Sequence, residues 1–193
     1  MSNTTKVDKR IESNKKYVDA LQEHCSKLNV IRVDLGYKHN SDVTLEEASN
    51  DLNRLLSNRR SKPSIFKHNV GYACKKEYTK DKGVHIHAFF MFDGQKVQKS
   101  AFKADQIGEY WNESIAKEKG SYHNCHRNSY KKNGIGMLEH KDNEKREYLD
   151  EAMEYICKDE QSIESISDNK RDRAFTRGTM PKKKGNIGRP RDL

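Results

Sequence analysis

A chain of 193 residues with 38 Lys and Arg and a formal net charge of +9 allows one domain with tails and points to a polyanionic partner, above all nucleic acid. No apolar run approaches the roughly 18 residues of a helical membrane span, no signal-peptide pattern opens the sequence, and no G-x-x-x-x-G-K-[ST] loop marks a P-loop motor. Only 35 residues are Leu, Ile, Val or Phe, a composition that leans to disorder, but they gather in periodic blocks and so predict a folded centre with solvated ends.

Residues 1–10 are polar and predict a flexible start. Over residues 11–28, Tyr17, Val18, Leu21, Cys25 and Leu28 recur at three- and four-residue spacing, which predicts an amphipathic helix. Residues 30–35 read as a strand, with Ile31, Val33 and Leu35 towards a core and Arg32 and Asp34 the other way. Thr44-Leu45-Glu46-Glu47 is a capping box and starts a helix that runs to Arg60. A loop with Pro63 leads into a second strand at residues 68–78, and residues 79–83 turn it back on a third at 84–92.

That third strand is apolar and aromatic except for His85 and His87. Side chains alternate across a strand, so both imidazoles project from one face while Ile86, Ala88, Phe90 and Phe92 project from the other. With helices on the apolar face, the His pair would lie on an open face suited to a metal ion; a bare His-x-His also fits an ordinary exposed strand. Antiparallel pairing brings Glu77 beside this strand as a third donor to a divalent ion, with positions left for water or substrate oxygen. Among Lys75, Lys76, Lys80 and Lys82, it reads equally as one more hairpin charge.

Residues 98–117 predict a helix with Phe102, Ile107, Tyr110, Trp111 and Ile115 as its apolar side, and residues 120–133 a polar loop. His123, Cys125 and His126 in that loop lack the second ligand pair of a structural zinc site. The four cysteines have no close spacing and fit a reducing cytosol. Residues 134–140 read as a fourth strand. The resulting β-α-β-β-α-β order is that of a ferredoxin-like or RRM-like α+β fold, whose first and third strands are central neighbours. Residues 145–161 predict a last helix carrying Tyr148, Tyr155 and Lys158, the latter two on one face at a spacing of three. Residues 169–193 hold nine Lys or Arg against two Asp, and Gly188-Arg189-Pro190-Arg191 resembles the core of an AT-hook.

His85-Ile86-His87 on a strand, followed by Tyr155-Ile156-Cys157-Lys158 on a later helix, resembles the HUH endonuclease superfamily of replication initiators and relaxases. More narrowly, the chain is similar to inovirus-type replication proteins with a YagK/YfjJ-like domain, through residues 83–90, 93–97 and 134–137, Gln161 and the closing 188–191. The resemblance implies an endonuclease domain over residues 11–165, and the composition of residues 166–193 predicts a basic, flexible, DNA-contacting tail. It implies Mg²⁺ or Mn²⁺ on His85, His87 and an upstream carboxylate, with Glu77 the first candidate and Asp34 the reserve. Tyr155 would be the nucleophile that forms a 5′-phosphotyrosine link, and Lys158 would offset charge on the phosphate. Lys158 stands where two-tyrosine initiators carry their second Tyr, so a one-tyrosine cycle is expected, with Tyr148 two turns away. The expected DNA contacts are Arg32, Arg177, Lys182, Lys183, Lys184, Arg189 and Arg191. The expected substrate is single-stranded or locally melted origin DNA in the cytoplasm of a bacterial host, opened by supercoiling or a host helicase, at the start of rolling-circle replication. The readings set against it are a non-catalytic DNA-binding regulator on the same scaffold, a one-tyrosine transposase and an RNA-binding module.

Overall fold

The computed structural model describes residues 5–39, 41–158, 163–167 and 172–182. Helix α1 (Lys6–His24) begins earlier than its apolar spacing predicts, because Thr5 Oγ1 accepts from the Asp8 N–H while the Asp8 carboxylate accepts from the Thr5 N–H. Residues 6–10 are therefore helical. Strand β1 (Lys27–Tyr37) follows, then α2 (Leu45–Asn58), which the predicted Thr44–Glu47 capping box starts. After the single turn α3 (Pro63–Phe66), β2 (Asn69–Thr79) and β3 (Gly83–Asp93) form a hairpin whose second arm opens on Gly83 at φ 65°. Helix α4 (Ser100–Tyr110) runs on into a π-helical turn, Trp111–Ile115. Two short strands, β4 (Gly120–Asn124) and β5 (Gly136–Glu139), precede α5 (Asn143–Cys157) and the edge strand β6 (Phe175–Arg177).

Among the described residues these strands form one antiparallel six-stranded sheet in the order β4-β1-β3-β2-β6, with β5 also on β1. The fold is α+β, and β1 and β3 are central neighbours, as expected. The position predicted for a single fourth strand is shared: β4 pairs with Val33–Tyr37 and β5 with Lys27–Val30. Part of the predicted polar loop is thus a strand, held by its ladder to β1 rather than by apolar alternation.

Ile31, Val33, Leu35, Ile86, Ala88, Phe90 and Phe92 pack on Leu52 and Leu55 of α2, Ile107 of α4 and Trp111. Each such buried Val, Leu, Ile or Phe side chain contributes about 1.5–3 kcal/mol. The opposite face is not open, which corrects the expectation. Leu28, Val30, Phe89 and Met91 share the parity of the histidines and are covered by Tyr17 and Leu21 of α1 and by Leu149, Met153 and Ile156 of α5. The apolar cover stops short of Asp34, His85 and His87, while Glu77 beside them is buried.

Part of the tail predicted to be flexible is a strand. Its residues Phe175–Arg177 pair with Lys75–Ala73 of β2 and so close an edge that would otherwise present unpaired backbone. Further on, the Lys182 carbonyl meets His24 Nε2 at the end of α1. Among the described residues no helix is long and apolar enough to cross a membrane.

Candidate metal centre and tyrosine cleft

Sheet register builds this site. Glu77 stands opposite His85 across the β2–β3 ladder, Lys75 opposite His87, and Asp34 opposite His87 on the β1 side. Alternation then puts all five side chains on one face.

Glu77 Oε2 lies 3.1 Å from His87 Nε2 and 3.4 Å from His85 Nε2. One ligand atom from each of Glu77, His85 and His87 falls within 4.8 Å of the others. The second ring nitrogens are tied down: His85 Nδ1 lies 3.2 Å from the Gly83 carbonyl and His87 Nδ1 2.8 Å from Asp34 Oδ1. Carbonyl and carboxylate oxygens only accept, so both Nδ1 atoms donate and both Nε2 atoms turn towards Glu77, the arrangement that orients imidazole ligands around an ion. Two imidazole nitrogens and one carboxylate oxygen fit a divalent ion with open positions. The expected set of Glu77, His85 and His87 is brought together, and Asp34 sits behind His87 as its hydrogen-bond partner.

The electrostatics follow from burial and pairing. Burial opposes charge on His87, but the hydrogen bonds to Asp34 and Glu77 outweigh it and raise its pKa to about 9. Burial likewise opposes charge on Glu77, and the bonds to His85, His87 and Lys75 override it, holding the carboxyl well below the usual range. Asp34 is held low against its own burial by His87 and then Arg32. Lys75 is the residue that sequence reasoning missed: its Nζ lies 2.6 Å from Glu77 Oε1, with both side chains only 1% exposed.

Tyr155 completes the cluster. Leu149, Met153 and Ile156 press α5 onto the sheet, and Arg146 ties the helix to Asp19 and Gln22 of α1. This leaves Tyr155 at the rim, 40% exposed. Its ring is edge-on to His87, with centroids 6.1 Å apart at 71°, and Lys75 Nζ lies 5.8 Å from its centroid. A cleft of about 550 Å³ opens here, lined among others by Asp34, Gly36, His85, His87, His123 and Tyr155.

Other expected residues stand elsewhere. Lys158 is the C-cap of α5, its N–H on the Tyr155 carbonyl, and it does not line the cleft. The helix stops there with the Cys157 carbonyl held by Arg10 Nη1 at 2.7 Å. Tyr148 bonds Glu144 through its hydroxyl, outside the cleft lining. Arg32 packs over Phe89 at 5.4 Å with Nε 3.6 Å from Asp34 Oδ1, and its side chain is mostly buried. Arg177 stacks on Tyr17 at 4.8 Å and bonds Ser13 Oγ, clamping β6 to α1. Lys182 is exposed beside the end of α1. Lys183, Lys184, Arg189, Arg191 and Gln161 lie outside the described residues. His126 Nε2 accepts from the Arg32 N–H, so that His126 is held by β1, while His123 lies in β4 and lines the cleft.

No protein-family model, curated protein or solved structure matches this chain.

Proposed function

We propose that this chain is an HUH-type DNA nicking and joining enzyme that initiates rolling-circle replication of a phage or related mobile element. The observation that carries the reading is the placement of one partly exposed tyrosine, Tyr155, edge-on to His87 in the cleft lined by His85 and His87, the two donors that converge there with the buried Glu77. The sheet supports it, since β4 and β5 fill the fourth-strand position of a ferredoxin-like order beside β1. The net charge of +9 supports a polyanionic substrate.

Glu77 Oε2 and the Nε2 atoms of His85 and His87 would hold Mg²⁺ or Mn²⁺, and their two nitrogen donors favour Mn²⁺. Such an ion supplies Lewis-acid polarisation of a phosphoryl oxygen. Asp34 fixes the His87 ring, and Tyr155 supplies the nucleophile. Its phenol proton passes to water in the cleft, its oxygen bonds to phosphorus, and the bond from phosphorus to the 3′ oxygen breaks. The electron pair leaves on that oxygen, which takes up a proton, while the 5′ phosphate stays on Tyr155. Attack by a 3′-OH reverses the step without ATP. A duplex buries the scissile strand, so the substrate is single-stranded or locally melted DNA in a bacterial cytoplasm, opened by supercoiling or a host helicase.

The test is incubation of the protein with a labelled random-sequence single-stranded DNA pool in Mn²⁺, in EDTA, and with Tyr155→Phe. Mn²⁺-dependent cleavage that stops in EDTA and in Tyr155→Phe supports the enzyme. Tight binding without cleavage under any divalent metal would instead leave a DNA-binding regulator on the same fold.

A further inference from the structure

The buried ammonium of Lys75 has no evident use in a site built only to hold a metal. It lies 2.6 Å from one oxygen of a donor carboxylate, and a cation there repels the ion that the same carboxylate attracts. Burying an ammonium is itself unfavourable, even with a partner. Its surroundings include a second group of interest: Nζ lies 5.8 Å from the centroid of the Tyr155 ring. Lys75 projects from a central stretch of β2, paired on one side with His87 of β3 and on the other with Phe175 of β6, so its base is fixed. Lys158, by contrast, follows the last residue of α5 on an exposed, extended turn.

We propose that Lys75, rather than Lys158, is the fixed cation that offsets the negative charge arising on Tyr155 and its attached phosphate during strand transfer. This rests on the nicking reading. Glu77 Oε1 anchors the ammonium, and the β2 backbone delivers it beneath the tyrosine. As the Tyr155 O–H bond breaks and the O–P bond forms, charge develops on the phenol oxygen and the phosphoryl group. A positive charge already in place, and shielded from water, stabilises that state without having to reorganise. Lys75 acts through Tyr155 and is a positioning residue. Because it is buried, its removal acts on the chemical step and not on capture of the DNA.

The experiment compares wild type, Lys75→Met and Lys158→Met in full-length protein, with thermal melts confirming folding and Lys75→Gln held ready should the Met variant not fold. Three quantities are read: Mn²⁺ binding by electron paramagnetic resonance, affinity for single-stranded DNA, and the single-turnover rate of the protein–DNA adduct. Lys75→Met is expected to bind Mn²⁺ and to keep DNA affinity within about twofold, while adduct formation slows about 100-fold, the loss typical of removing one preorganised charge-stabilising group. Incorporating 3,5-difluorotyrosine at position 155, whose oxygen bears negative charge more easily, is expected to shrink the Lys75→Met penalty; a purely structural role for Lys75 would leave it unchanged. An unaltered rate in Lys75→Met overturns the proposal. So does loss of Mn²⁺ binding in that variant, which would place its effect in Glu77 alone. A large loss confined to Lys158→Met returns the role to Lys158. A wild type that cleaves nothing overturns the nicking reading itself, an outcome distinct from the others.

Discussion

Replacing Glu77 by Leu removes one member of a pair buried to 1% exposure and leaves the Lys75 ammonium without its carboxylate. Breaking a buried ion pair on one side destabilises by about 3–5 kcal/mol, because the remaining charge is stranded away from water. For a chain of this size each kcal/mol moves the melting temperature by about 2–4 °C, so Glu77→Leu should melt about 6–20 °C below wild type. Asp34 still holds His87 in that variant, which keeps the perturbation local. The double variant Lys75→Met/Glu77→Leu replaces the pair with apolar side chains and should recover most of the loss, since such exchanges are neutral or stabilising by about 1–4 kcal/mol. The assay is thermal and urea unfolding of wild type, both single variants and the double variant at pH 7 in EDTA, closed as a double-mutant cycle. A single variant within about 1 kcal/mol of wild type, or a double variant no more stable than Glu77→Leu, would refute the reasoning that the pair is buried and coupled.

In metal-free protein at pH 7 His87 carries a proton, its pKa raised to about 9, and Nε2 must lose it to bind an ion. Mn²⁺ binding should therefore release about one proton and tighten about tenfold per pH unit up to that pKa, as read by calorimetry in buffers of different ionisation enthalpy; binding that releases none would contradict the ligand assignment. His126 behaves in the opposite sense, since burial and then Lys145 lower its pKa from 6.5 to about 4. The unfolded chain takes up that proton first as pH falls, so stability present above pH 6.5 is lost towards pH 4, by at most about 1.4 kcal/mol per unit. The stability difference between wild type and His126→Gln should shift by that slope between pH 7 and 4.5, and a constant difference would disprove it. Gly36 floors the cleft, where an added Cβ would sit 3.4 Å from Ser121 Oγ and 3.8 Å from His85 Cβ, ordinary contact distances. Gly36→Val should fold normally yet bind single-stranded DNA about tenfold more weakly, a change of about 1.4 kcal/mol, in a fluorescence anisotropy titration; unchanged affinity would move the DNA path elsewhere.

The candidate metal donors were legible because they depend on strand parity and hairpin register. Two-residue alternation fixes His85 and His87 on one face, and the turn at residues 79–83 brings Glu77 opposite His85. The capping box at Thr44 was legible for the same reason, a local pattern with a local cause. What stayed hidden depends on distant partners. A lysine in a Lys-rich hairpin reads as solvated, and nothing within β2 shows that α5 brings Tyr155 to Lys75. The strand at Gly120–Asn124 carries polar side chains and exists through its ladder to β1, and Phe175–Arg177 is a strand only because β2 offers an edge. The cover over Phe89 and Met91 follows from their sharing the histidine face, which the apolar run itself conceals. The spacing of three between Tyr155 and Lys158 says nothing of where α5 ends, and the structure places Lys158 at its C-cap, outside the cleft lining.

The most direct test of the account is peptide mapping by mass spectrometry after reaction with the single-stranded DNA pool in Mn²⁺. A nucleotide phosphate covalently attached to Tyr155 is expected, formed in Mn²⁺ and missing in EDTA. Cleavage that leaves no adduct would make this a hydrolytic nuclease, and an adduct mapped to Tyr148 or any other residue would contradict the assignment of the cleft.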